Sequence, residues 1–272
     1  MYDGEDEGAV TELLRAATAR YPEERAAIVA QLHARTDRAT FDAACALTRS
    51  GSGAERELGL DVLGQFGYPA GRPYLDDTMP VVLACCDDDQ PEVLAAAITA
   101  VGHLADTRGL PAVLAQVAHP SQEVRFAVAV ALPLVAGDPA DIAAADALIR
   151  LSRDPDPEVR DWATMGLGEP FDADTPQIRD ALAERLADTE GDIAGEALLG
   201  LAQRKDPRAM APLLGWLNGD DPGNLIVEAA AALGVAEALP ALLRLKAAGW
   251  QDDDARPWLL DAAIEACSRL GG

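Results

Sequence analysis

DPDPEVRDWATMGLG, residues 154–168, is the stretch that decides the fold of this 272-residue chain. It opens with two aspartates and two prolines, which favour a tight turn, and continues with residues that favour a helix. A proline at the first helical position has no N–H to leave unsatisfied, and an aspartate before it can accept from the free N–H groups. The stretch therefore predicts a turn followed by a short helix that ends near its glycines.

The helical part of this stretch recurs along the chain. Four other segments align with it, each with an apolar residue, a small residue four positions on and an apolar residue four further. These segments are PEVLAAAITAVGHL (91–104), QEVRFAVAVALPLV (122–135), GDIAGEALLGLAQR (191–204) and GNLIVEAAAALGVA (223–236). Successive first positions, Val159 among them, are 31, 35, 34 and 32 residues apart by subtraction. Such a period is typical of a repeat protein, and the i, i+4, i+8 pattern predicts a buried helix face.

A second set of helical patterns lies between the recurring helices, so each repeat is predicted to be a helical hairpin. Apolar residues make up 49% of the chain and aromatic residues only 4%, which favours close-packed helices over strands. We expect an all-α, right-handed α-solenoid of about seven hairpins in a single domain over residues 1–272, with capping helices in 1–37 and repeats in 38–270. The predicted core consists of Val93, Ala97, Val101, Val124, Leu132, Val159, Ala163, Leu167, Ile193, Ala197, Leu201, Leu225, Ala229 and Leu233.

Units with a D-x-x-P-E-V-R turn followed by A-x-x-A-L-G resemble HEAT repeats, of the bacterial type also found in phycobilisome lyases. The resemblance covers about residues 38–270 and implies architecture rather than activity. It also implies a ladder between repeats, formed by an aspartate near the turn and an arginine after the valine. Arg125 and Arg160 match the arginine position, whereas Leu94, Ala194 and Ile226 do not. A partial ladder is therefore expected.

The charge of the chain indicates what it binds. With 22 basic and 46 acidic residues the formal net charge is −24, which repels nucleic acid and anionic membranes and attracts basic proteins. No signal peptide and no apolar run of membrane-spanning length occurs, so we expect a cytoplasmic protein. Its oligomeric state is not predicted.

No catalytic signature stands out. The three histidines lack metal-ligand spacing, and neither a nucleophile elbow nor a phosphate-binding loop occurs. Three of the four cysteines lie in apolar helical segments, which predicts free thiols rather than a disulfide scaffold. Some HEAT-like proteins are DNA glycosylases with a concave aromatic and an aspartate, and Asp161 beside Trp162 invites that comparison, but the acidic charge argues against it. No cofactor, no metal and no enzymatic activity are expected.

The second helix of each pair resembles the wall of the concave face in such repeats, so its non-core positions are the candidate partner-binding residues. They are Trp162, Met165, Glu169, Glu196, Glu228, Val130 and His103. The predicted function is a non-enzymatic scaffold that recognises a basic protein through an acidic concave face. Two alternatives stay open: an immunity-type or DNA-mimic-like antagonist of a basic nucleic-acid-acting protein, and a HEAT-like lyase or other small-molecule enzyme. An extended acidic groove would favour the scaffold, and a ligand-sized polar pocket the enzyme.

Overall fold

The fold is all-α, as predicted. The computed structural model describes residues 4–19, 22–168, 173–219, 222–250 and 258–269. Within these ranges the chain forms sixteen α-helices and no strand. By its internal contacts it divides into two compact units, Met1–Ala144 and Ala145–Gly272, each of which is described by itself. The expectation of one continuous solenoid stays a prediction.

The first unit contains two leading helices followed by three helix pairs. The helices are α1 (Gly4–Ala19), α2 (Pro22–His33), α3 (Arg38–Leu47), α4 (Gly53–Gln65), α5 (Leu75–Leu83), α6 (Pro91–Leu104), α7 (Leu110–Ala115) and α8 (Gln122–Val135). The second helices of the pairs pack on one another in chain order, α4 on α6 and α6 on α8. A Cβ added at Gly102 of α6 would lie 2.9 Å from the Cβ of Ala131 on α8, so this close approach requires glycine.

The second unit repeats the arrangement. Its helices are α9 (Ile142–Leu151), within which the boundary falls, α10 (Pro157–Gly168), α11 (Pro176–Arg185), α12 (Gly191–Gln203), α13 (Met210–Leu217), α14 (Asn224–Leu233), α15 (Leu239–Ala248) and α16 (Leu259–Ser268). The second helices again pack in chain order, α10 on α12, α12 on α14 and α14 on α16. The seven pairs of the two units agree with the predicted number of hairpins.

The turn before α10 shows why the opening stretch folds as it does. The side chain of Asp154 accepts from the N–H of Asp156 at 3.0 Å. The Asp156 carboxylate in turn accepts from the N–H groups of Glu158 at 3.0 Å and Val159 at 3.2 Å, two donors that have no partner inside the helix. Pro157 occupies the first helical position. The predicted turn, proline and aspartate cap are confirmed.

The predicted core is correct with one exception. Every predicted core residue other than Leu225 is buried, with at most 7% of its surface exposed. Leu225 is only half-buried. It lies in the first turn of α14 against Gly195 of α12, where an added Cβ would be 2.8 Å from the Leu225 Cδ1. The glycine thus makes room for one side of Leu225, while the other side borders the groove described below.

The ladder between repeats is partial, as expected, but one of its members was not predicted. Arg160 donates to both carboxylate oxygens of Asp188, which belongs to the next repeat. Arg56 makes the same pair with Asp88, at 2.8 and 3.0 Å. Asp88 also accepts from the N–H of Gln90, one residue before α6, so the aspartate both caps the turn and holds the preceding repeat.

All four cysteines are buried free thiols. Burial, with a smaller contribution from Cys85, raises the pKa of Cys86 to about 12, so this thiol does not ionise near neutral pH. Among the described helices, none is both long enough and apolar enough to cross a membrane.

Candidate functional site

A groove of about 1020 Å³ runs across the second helices of the second unit. We call it the acidic groove. Successive helices contribute to its wall in order, α10, α12, α14 and α16. Its lining residues are Asp161 and Met165 on α10; Gly191, Asp192, Gly195, Glu196, Leu199 and Gln203 on α12; Asn224, Leu225, Ile226, Glu228, Ala231 and Ala232 on α14, after Gly223; and Leu259 and Ala262 on α16, after Trp258. The groove therefore lies within one unit.

The charge of the groove is of one sign. Four carboxylates line it, from Asp161, Asp192, Glu196 and Glu228, and no lysine or arginine occurs among its described lining residues. Glu196 is followed three positions later by Leu199, and Glu228 by Ala231, so each helix presents an acid and, one turn on, an apolar or small residue. The wall thus combines negative charge with apolar surface.

Asp161 differs from an ordinary surface acid. Its Oδ1 is buried and has no hydrogen-bond partner within the described part of the chain. Burial raises the pKa of the Asp161 carboxyl, and the nearby carboxylate of Asp192 raises it further. A cationic donor entering the groove would satisfy this oxygen and offset the repulsion between the two acids.

The apolar part of the groove has an exposed aromatic at one end. Trp258 precedes α16 and leaves 64% of its surface exposed. Met165 is half-buried on α10, and Leu259 is buried beside Trp258. Tryptophan and methionine both suit contact with another protein, because the first offers a large rigid surface and the second adapts its shape.

The predicted partner-binding residues divide between several places. Met165, Glu196 and Glu228 all line the acidic groove. Trp162 is also exposed on α10, at 37%, but it lies outside the groove lining. Glu169 falls outside the described residues.

The other two predicted residues belong to the first unit. His103 lies on α6 and lines a separate pocket there. Val130 is half-buried on α8 and lines neither cavity. The two residues therefore do not contribute to the acidic groove of the second unit.

Sequence reasoning missed Asp192 and Trp258, and it weighed Asp161 only as a glycosylase residue. A signal for Trp258 was present, because the terminal segment WLLDAAIEACSRLGG begins with it. Aligning Leu259, Ala263 and Cys267 with the apolar pattern of the five recurring helices would have placed Trp258 at the position that Asp192 occupies in its own repeat. Asp192 precedes the aligned Ile193 by one position, where the other repeats carry glutamate or asparagine.

Comparison with known proteins identifies the family. A profile of HEAT repeats matches residues 79–168 and 144–234, which together make up more than half of the chain. The chain belongs to the HEAT-repeat family.

Individual relatives agree with this assignment. Protein YibA of Escherichia coli K12 is 35% identical over 122 residues, which is 45% of this chain and 42% of YibA, so the alignment spans less than half of either protein. The crystal structure of YibA superposes with a TM-score of 0.72 at 24% identity, covering 99% of this chain and 98% of that one. The complex of CpcE and CpcF of phycocyanin lyase from Nostoc gives a TM-score of 0.53 at 17% identity over 88% of this chain and 90% of that one. These structural likenesses show a shared fold.

Proposed function

We propose that this HEAT-repeat protein is a non-enzymatic scaffold that binds a basic protein partner in the acidic groove. The observation that carries the proposal is the lining itself, with four carboxylates, no cationic side chain among the described lining residues, and an apolar wall. Its volume is at the upper limit of the roughly 300–1,000 Å³ range of small-molecule pockets, and it extends over four helices, which suits an elongated segment of a partner.

Charge and apolar contact would serve different stages of binding. The four acids attract a cationic partner and speed the encounter, since complementary charge acts mainly on the association rate. Trp258 and Met165 would then be covered, and loss of that apolar contact governs the dissociation rate. A lysine or arginine of the partner that reached the buried Oδ1 of Asp161 would provide the hydrogen bond that this oxygen lacks.

The described lining residues include no imidazole, thiol or hydroxyl group, so a serine–histidine or cysteine–histidine pair is not assembled there, and the four carboxylates are its titratable groups. An immunity-type antagonist of a basic nuclease is a narrower form of the same proposal and would use the same groove. The alternative of a lyase or other small-molecule enzyme has support from the fold, which does not establish a function, and from the ligand-sized pocket of the first unit that His103 lines.

Charge reversal at two groove positions tests the proposal. We expect a Glu196→Lys, Glu228→Lys double variant to lose basic proteins that the wild type retains from the native host at low salt. For an isolated partner, we expect a slower association rate and a weaker dependence of that rate on salt, because the attractive field has been reduced. Trp258→Ala should instead raise the dissociation rate. If the indole is an anchor, the free energy of binding should become less favourable by about 2 kcal/mol.

Two matched controls separate groove position from other effects. An Asp146→Lys, Glu237→Lys double variant changes the net charge by the same amount at two exposed positions outside the groove lining. It should bind as the wild type does. Trp162→Ala removes an exposed indole outside the groove lining, so it should reduce the free energy of binding by less than Trp258→Ala does. If both double variants lose the partner equally, net charge rather than the groove is responsible, and the proposed site is wrong.

A further inference from the structure

The first unit contains a second cavity, of about 560 Å³, whose chemistry differs from that of the acidic groove. We call it the polar pocket. It lies between α2, α4 and α6 and is of the size that holds a small molecule. Its apolar and small lining residues are Ala26, Val29 and Ala30 on α2, Leu60 on α4, and Ala96, Thr99 and Ala100 on α6. Short side chains on the facing walls of α2 and α6 leave a slot between the two helices.

Polar side chains converge on the same cavity. Arg25 of α2 donates to the Asp61 carboxylate of α4 at 2.7 Å. His33 at the end of α2 contacts the backbone carbonyl of Asp61 through Nε2 at 2.8 Å. Gln65, one turn further along α4, lies with its Nε2 3.5 Å from Nδ1 of His103 on α6. With Thr99, six described polar residues from three helices thus line one pocket.

The hydrogen bonds determine which ring nitrogens face a ligand as donors. A carbonyl oxygen only accepts, so Nε2 of His33 carries a proton. The Gln65 amide donates to Nδ1 of His103, so Nε2 of His103 carries the proton and is a donor. Burial lowers the pKa of His103, and the nearby His33 and Arg72 lower it further, which keeps this ring neutral at pH 7.

Two of the described lining residues carry opposite charges. Arg25 and Asp61 already pair with each other. A charged ligand that separated this partly buried pair would leave one of the two charges without its counter-ion, which opposes binding. An uncharged ligand meets no such cost, and it finds a donor at His103 and an amide at Gln65 beside the imidazole of His33.

We propose that the polar pocket binds a small, uncharged heteroaromatic molecule that has both hydrogen-bond donors and acceptors. Its flat apolar body would lie in the slot between the alanines of α2 and α6, and its polar edge would contact His33, Gln65 and His103. This site is separate from the acidic groove and does not depend on the function proposed for the groove.

A series of three indoles with the same ring and different charge tests the proposal. The probes are indole-3-ethanol, which is neutral, indole-3-acetate, which is an anion, and tryptamine, which is a cation. Binding to the full chain is measured by saturation-transfer NMR and by titration of protein amide resonances. We expect indole-3-ethanol to bind at least tenfold more tightly than either charged analogue, with shifts at the amides of α2, α4 and α6. Equal binding of all three probes, or no binding of indole-3-ethanol at millimolar concentration, would overturn the proposal.

Filling variants locate the site. Ala96→Phe places a ring in the polar pocket and should abolish binding of indole-3-ethanol, while Ala231→Phe fills the acidic groove and should leave it unchanged. Ala30→Phe fills the same slot from the α2 side, and it serves as the test if the Ala96→Phe variant does not fold. His103→Leu should weaken binding at least fivefold, since it removes the donor and keeps an apolar side chain. Binding that persists in both pocket-filling variants would place the indole elsewhere and refute the assignment.

Discussion

Replacing Arg160 with methionine tests whether burial or bond length decides what an inter-repeat ion pair contributes to stability. Arg160 donates to Asp188 at 3.1 and 3.2 Å, and to the carbonyls of Asp154 at 3.0 Å and Pro155 at 3.1 Å. Only 16% of the Arg160 side chain and 6% of the Asp188 side chain are exposed. Methionine keeps the length and apolar contacts of the side chain but removes all four hydrogen bonds.

The expected loss follows from what remains around Asp188. Breaking a buried ion pair costs about 3–5 kcal/mol when the surviving charge is left alone. Asp188 would still have Arg185 at 3.6 Å and the N–H of Glu190 at 3.3 Å, so its charge keeps partial compensation. We therefore expect the free energy of unfolding to fall by about 2–3 kcal/mol, which allows for the two carbonyls that also lose a donor.

Arg153→Met is the matched control. Arg153 donates to Glu184 at 2.7 and 3.0 Å, so its hydrogen bonds are shorter than those of Arg160. However, 47% of the Arg153 side chain and 49% of the Glu184 side chain are exposed, and an exposed pair contributes less than about 1 kcal/mol. If bond length decided the contribution, this variant would be the less stable of the two.

The assay uses the distribution of tryptophan. All four tryptophans, at positions 162, 216, 250 and 258, belong to the second unit, as do both arginines. Urea unfolding followed by tryptophan fluorescence therefore reports on the unit that carries the substitution, and the midpoint and slope give the free energy. A loss below about 1 kcal/mol for Arg160→Met, or a loss as large for Arg153→Met, would refute the reasoning.

Three further predictions concern stability. Burial would raise the pKa of Asp188, but hydrogen bonds from Arg160 and the Glu190 N–H lower it below the usual value. The stability that ionised Asp188 contributes to the fold is therefore present above its unfolded pKa and is lost as the pH falls through its folded pKa. The Arg160→Met variant should show a shallower loss of tryptophan-monitored stability from pH 5 to pH 2, roughly the range over which aspartates titrate. Val159→Asp should lower the free energy of unfolding by about 3 kcal/mol or more in urea titrations, because a charge would enter a fully buried position. Calorimetry should show a lower melting temperature for Gly102→Ala, whose Cβ would lie 2.9 Å from the Ala131 Cβ of α8. It should show an equal or slightly higher one for Gly215→Ala, whose Cβ meets no atom within 4 Å and whose helix gains the better propensity of alanine.

The helical repeat was predictable because the signal for it is local. Each second helix carries its own apolar stripe, and Val159 or Ile193 is buried by the same pattern in its own repeat. Leu225 was misassigned because its environment depends on a glycine of the preceding repeat, which the pattern within α14 does not report. Arg56 was missed for a related reason, since its helix was not among the five that were aligned.

The candidate sites were predictable only where they follow the repeat. Glu196 and Glu228 occupy the same position in successive repeats, so their presence in one groove could be anticipated. The polar pocket could not be anticipated in this way. Arg25 and His33 come from a leading helix that has no repeat phase, and they meet Asp61 only because α2 packs on α4. Because α2 does not belong to a repeat, its contacts with α4 leave no periodic trace in the sequence.

The two cavities differ in the net charge of their described lining residues. The salt dependence of ligand affinity can therefore distinguish the two proposed kinds of binding. Binding in the acidic groove brings a cation to four carboxylates, so its affinity should fall as salt screens interactions beyond about 8 Å at physiological ionic strength. Binding of a neutral molecule in the polar pocket changes no charge, and its affinity should be nearly constant over the same range. The formal charge of −24 acts on both cavities, but only a charged ligand responds to it. A ligand that binds the polar pocket as proposed should therefore have an affinity nearly independent of salt, and one that binds the acidic groove should have an affinity that falls with salt.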